Sequence, residues 1–116
     1  MTVRRIVANL AGDPEHARAF YETLLDLEVV MDLGWIVTFA SEASAAPQLS
    51  IASEGGSGTA VPELSIEVDN VDEAYRRAVA GGFKITYELT DEPWGVRRFF
   101  VRDPFGKTLN ILAHSR

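Results

Sequence analysis

GVRRFFVRDPFGKTLNIL, residues 95–112, reads as strand, turn, strand. Its middle, Asp103-Pro104-Phe105-Gly106, has a tight-turn composition, because Pro presets φ and Gly accepts the left-handed backbone that turns use. The flanks predict strands over 97–102 and 108–113. Alternation puts Arg98 and Phe100 on one face of the first, and Arg97, Phe99 and Val101 on the other. In the second, Thr108-Leu109-Asn110-Ile111 alternates polar with apolar, the pattern of a strand packed on one face and polar on the other.

The rest of the chain organises around this hairpin. Val71, Ala74, Tyr75, Ala78 and Val79 recur at i, i+3, i+4, i+7 and i+8, one face of a helix. Asp69 or Asn70 caps its start and Gly81-Gly82 stops it. The same figure recurs earlier in Ala17, Phe20, Tyr21, Leu24 and Leu25, with Asp13 as N-cap and Pro14 at the first helical position. Phe20, Tyr21 and Tyr75 are expected to fill the core or a dimer interface. Strands are predicted over 3–10, 27–32, 35–40 and 48–53 around the first helix. Those around the second are 63–68 and 84–89, followed by the hairpin. Each half therefore reads β-α-β-β-β, and the Gly/Ser-rich stretch 53–59 joins them. Glu63-Leu64-Ser65-Ile66-Glu67-Val68 alternates strictly, sending Leu64, Ile66 and Val68 to the helix and Glu63, Ser65 and Glu67 to the opposite face. The expected fold is α+β: two tandem β-α-β-β-β modules forming a curved, mostly antiparallel sheet, with helices on one face and a cupped binding face on the other.

At 116 residues, 47% hydrophobic and 24% charged, the chain is expected to be a single domain, 1–116. Module 1 covers about 1–53 and module 2 about 61–116. No run approaches the roughly 18 apolar residues of a membrane span, and no apolar signal core follows the basic start, so membrane partners are not expected. There is no cysteine, which removes disulfides, thiolate metal sites and a cysteine nucleophile, and suits a cytoplasmic location. A net charge of −6 argues against nucleic acid, whose phosphates need Lys and Arg.

Three segments resemble one family. DPEHARAFYETLLDL at 13–27, VDNVDEAYRRAVAGG at 68–82 and the opening hairpin at 95–112 are similar to the glyoxalase / bleomycin-resistance / extradiol dioxygenase group, the vicinal oxygen chelate superfamily. Metal-dependent members bind one divalent ion through four strand positions on the cupped face, usually His, Glu or Gln. Carried onto this chain, the resemblance puts those positions at Val7 (or Ile6, with a one-residue gap), Ser50, Glu63 and Asn110. Alternation favours Val7, leaving Ile6, Ala8 and Leu10 on the helix side. A divalent ion needs several imidazole or carboxylate donors. An aliphatic residue, Ser, Glu and Asn do not supply them, so no metal and no cofactor is expected. His16, in the first turn of helix one, and His114, beyond the last strand, are expected to be solvated.

The resemblance implies a small-molecule ligand and a homodimer. Trp35, Ser50, Trp94, Arg98, Phe100 and Asn110 are the candidate ligand-binding residues. Trp94 stands out in the turn-rich Asp91-Glu92-Pro93-Trp94-Gly95. Glu63, Glu67, Asp91 and Glu92 are expected to line the cup, with Arg98 and Glu67 as a buried ion pair. Two functions stay open. One is a metal-independent binding protein sequestering an antibiotic or toxic metabolite. The other is an enzyme of the same superfamily (lyase, isomerase or dioxygenase type) with Glu63 or Glu67 as general base, with or without a divalent metal.

Overall fold

A computed structural model describes residues 1–43 and 47–115. The elements run β1 (Val3–Ala11), α1 (Pro14–Leu25), β2 (Glu28–Asp32), β3 (Ile36–Ala40), β4 (Gln48–Ala52), β5 (Leu64–Val68), α2 (Val71–Ala80), β6 (Ile85–Glu92), β7 (Val96–Arg102) and β8 (Thr108–His114). This is the twice-repeated β-α-β-β-β order expected from the sequence. The chain divides into two compact units, Val7–Val61 and Met1–Ile6 with Pro62–Arg116.

In the unit of residues 7–61 the strand order is β2-β3-β4-β1. β1 and β4 are parallel, with Asn9 opposite Ser50, and the other pairs are antiparallel. α1 starts where Asp13 accepts a hydrogen bond from Glu15 N (3.0 Å) and Pro14 presets the first turn. It lays Ala17 and Tyr21 on Val37, Phe39 and Ile51, each large apolar side chain contributing about 1.5–3 kcal/mol by leaving water. Of the two places expected for Phe20, the core of this unit is not the one it takes: Phe20 is 57% and Leu24 63% exposed. The apolar stripe on α1 is wider than the strand surface below it, so only its Ala17/Tyr21 side is covered. Likewise Leu10, opposite Ile51 in register, is on the helix side of β1 yet exposed.

In the other unit the order is β5-β8-β7-β6, with β5 and β8 parallel and the rest antiparallel. The first residues of the chain join this unit. Asp69 N donates to Thr2 O (3.0 Å), and Thr2 N donates to Asp69 Oδ1 (2.7 Å); that bond holds the Asp69 carboxyl below its usual range. α2 is capped by Asn70, which accepts from Glu73 N at 3.0 Å. Its Val71, Ala74, Tyr75 and Ala78 pack with Ile66, Val68, Phe99 and Ile111.

β6 runs past its expected end at 89, and Pro93-Trp94-Gly95 becomes a tight hairpin turn. Gly95, at φ 89, takes the left-handed position such turns require. The expected acidic loop is therefore strand. Asp91 pairs in register with Arg97 and belongs to the helix side, where Arg97 bridges Asp91 (3.0 Å) and Asp72 of α2 (2.9 Å). Glu92, one residue on, faces the opposite way.

Candidate functional site

Each unit has one sheet face turned away from its helix. In residues 7–61, Asn9, Ser50 and Thr38 form a polar row across β1, β4 and β3. All three are buried, and the Thr38 and Ser50 hydroxyls are hydrogen-bonded at 2.7 Å. Val7, 4% exposed, shares this face by alternation, whereas Ile6 is 59% exposed; Val7 is thus the inward position of β1. Trp35 lies just before β3, half-buried, with its carbonyl accepting from Ser53 N at 2.9 Å.

In the other unit, register aligns Ser65, Asn110, Phe100 and Tyr87 in one row, and Glu67, Leu112, Arg98 and Thr90 in the next. Leu112 of β8 thus stands between Glu67 and Arg98, which rules out the ion pair expected between them. Arg98 instead turns to its neighbour in the hairpin. Its Nε and Nη2 both lie 2.7 Å from Glu92 Oε2, with both side chains 3% exposed. The Tyr87 hydroxyl donates to the same oxygen at 3.1 Å. Three rings enclose the guanidinium: Phe100 at 4.8 Å, Trp94 at 5.0 Å and Tyr87 at 5.2 Å from centroid to carbon. Trp94 and Phe100, which the sequence offered to a ligand, therefore pack with Tyr87 around a cation of the chain itself, through the attraction of ring faces for positive charge.

Glu67 serves a second group. Arg5 Nε is 3.1 Å from its Oε1, and His114 Nδ1 lies within hydrogen-bond distance of its Oε2, at 3.0 Å. His114, expected to be solvated beyond the last strand, closes β8 and faces Glu67. Sequence reasoning missed this pair, and also Asn9 and Thr38. Alternation in Val7-Ala8-Asn9 carries the signal for Asn9. His114 follows Asn110 and Leu112 at the same two-residue spacing, a signal hidden by stopping the strand at 113.

The four metal positions of the family carry one aliphatic side chain, a hydroxyl, an amide and a single carboxylate. Val7 has no donor atom, and the Ser50 hydroxyl is taken up by Thr38. Glu63 is exposed just ahead of β5, and its Oε2 accepts from Thr108 N at 2.7 Å. Asn110 Nδ2 donates to Ser65 Oγ at 3.1 Å, while its buried Oδ1 has no hydrogen-bond partner. Among the described residues no three His, Cys, Asp or Glu side chains gather as a metal would need. These residues do not fit a divalent ion.

A sequence profile described as Glyoxalase/Bleomycin resistance protein/Dioxygenase superfamily matches residues 6–111. The chain belongs to this superfamily. Solved structures agree on the fold. A protein described as NAD-dependent benzaldehyde dehydrogenase from Legionella pneumophila is 21% identical, covering 96% of this chain and 100% of that one, with a TM-score of 0.79. A superfamily member from Vibrio splendidus 12B01 is 20% identical over 97% and 99% of the two chains, with a TM-score of 0.61. A methylmalonyl-CoA epimerase in complex with methylmalonyl-CoA and NH4+ is 16% identical over 99% and 100%, with a TM-score of 0.71. Among curated proteins, none matches this chain in sequence. No described helix is long and apolar enough to cross a membrane.

Proposed function

We propose that this superfamily member is a metal-independent small-molecule binding protein of the glyoxalase/bleomycin-resistance type, acting as a homodimer and sequestering an antibiotic or toxic metabolite. The observation that carries this reading is the state of the four metal positions: one aliphatic side chain and three polar ones, of which two are spoken for and one, Asn110, keeps a buried free acceptor. An unsatisfied buried carbonyl costs about 1–3 kcal/mol, and a ligand N–H or O–H reaching Asn110 Oδ1 removes that cost. A solved relative binds a small molecule, methylmalonyl-CoA, which is in keeping with a ligand-binding role. The homodimer reading is supported by the exposed apolar stripe of Phe20, Leu24 and Leu10 in residues 7–61, since surfaces of this kind mark association sites.

The enzymatic alternative with Glu63 as general base has less support, because that carboxylate is exposed and already accepts from Thr108 N. A thermal-shift screen of small molecules in chelator-treated buffer tests the binding reading, since a ligand of the native state raises its melting temperature. Stabilisation by an organic ligand without metal is the expected result. Ligand binding that appears only when a divalent ion is added would overturn it.

A further inference from the structure

Two pairs of ionisable side chains in contact stand on the helix-free face of residues 62–115. Glu92 and Arg98 are sealed, each side chain 3% exposed. Glu67 and His114 are not: the Glu67 side chain is 18% exposed and that of His114 52%. A carboxylate can only accept, so the ring nitrogen facing it, Nδ1, carries the proton. Nε2 is then left as a lone pair on a ring whose orientation Glu67 holds. Glu67 is held in turn by Arg5 on its other oxygen. The arrangement is a chain of contacts from cation to carboxylate to imidazole, and the imidazole is its most exposed member.

We propose that Glu67 and His114 form a proton-accepting dyad that binds ligands carrying a weakly acidic hydroxyl, a phenol or an enol, as their anions. The balance is simple. The ligand O–H bond breaks, its proton goes to Nε2, and the electron pair stays on the ligand oxygen. The ring becomes an imidazolium whose Nδ1–H remains on Glu67, and the new cation pairs with the ligand anion. Glu67 is the positioning residue. The groups around the ring suit this transfer. On β5 stands Glu67, followed by Asp69 with its carboxylate on Thr2 N; on β1, Arg5; on β7, apolar Val96 directly opposite, with Arg98 beyond it already neutralised by Glu92. Among the described residues, the Glu67 carboxylate is the side-chain group hydrogen-bonded to the ring.

The inference rests on the binding reading for its ligand but not for the dyad, so two measurements separate them. The first needs no ligand. Nitrogen-15 NMR of the histidine rings at neutral pH should show His114 protonated on Nδ1, with His16 as internal reference. Glu67→Gln should move His114 toward the Nε2–H form preferred by free imidazole, and Glu67→Asp should restore it. An Nε2–H ring in the unmutated protein overturns the dyad. The second uses 4-nitrophenol, whose phenolate absorbs visible light. An imidazolium a few ångströms away lowers an acid's pKa by at least about one unit, so bound 4-nitrophenol should ionise roughly tenfold more readily than free. His114→Asn and His114→Phe should abolish the shift while retaining the native melting transition. Equal phenolate fractions with and without His114, or no bound 4-nitrophenol, overturn the ligand class and leave the wider binding reading to its own screen.

Discussion

Replacing Glu92 by Gln probes the most tightly enclosed interaction in residues 62–115. The mutation keeps shape and an acceptor but removes the Glu92 charge from beside the Arg98 cation, 2% exposed. Breaking a buried pair by removing one partner costs about 3–5 kcal/mol. Here the three rings at 4.8–5.2 Å still attract the cation, each by about 0.5–2 kcal/mol, which puts Glu92→Gln at the low end, about 3 kcal/mol. Arg98→Met is the more damaging change. It leaves a buried carboxylate without the Arg98 cation and facing electron-rich rings, so its cost should reach about 4–5 kcal/mol. The double variant Glu92→Leu/Arg98→Met removes both charges and should fall within about 1 kcal/mol of the parent or exceed it. Urea unfolding followed by tryptophan fluorescence and circular dichroism measures all three, with unchanged slopes validating the comparison. Single-variant losses below about 1 kcal/mol, or a double variant equal to their sum, would refute the reasoning.

Two further outcomes follow from the surface. The hydrogen bonds and charges of Arg76 and Arg77 hold the Glu73 carboxyl at about 2, below an unfolded value of about 4.3. Its folded pKa is depressed, so its contribution is complete above about pH 5 and vanishes as pH falls toward about 2. Glu73→Gln should therefore lower the melting temperature near neutrality, with the gap to the parent closing in acid and narrowing in salt; a gap independent of pH would contradict the assignment. Leu24→Glu, placed in the uncovered half of the α1 stripe, should turn a dimer into a monomer with unchanged circular dichroism. Light scattering decides this, and a parent chain monomeric at all concentrations refutes the dimer.

What was legible in the sequence was whatever depends on neighbours along the chain. Asp103 in the hairpin turn accepts from both Phe105 N and Lys107 N at 2.8 Å, as its turn composition implied. Alternation correctly sorted Ser65 and Glu67 from Ile66 and Val68, and chose Val7 over Ile6. What failed depends on strand order and on what covers a surface. Arg98 and Glu67 share a face, but nothing local reveals that β8 lies between them, nor that the hairpin extends far enough to bring Glu92 beside Arg98. The helical stripe of α1 was read correctly as apolar; that Phe20 and Leu24 would stay uncovered is a property of the partner surface. His114 lies near the end of the chain, where periodicity has too few residues to register.

The central claim is that this fold handles a small molecule without a metal ion. Elemental analysis of the purified protein, after exposure to zinc, nickel, manganese and magnesium and removal of excess by gel filtration, tests it most directly. Aliphatic Val7, with only one carboxylate, Glu63, among the four positions, predicts far less than one divalent ion per chain. One tightly held ion per chain, lost on replacing Glu63 by Gln, would contradict the account.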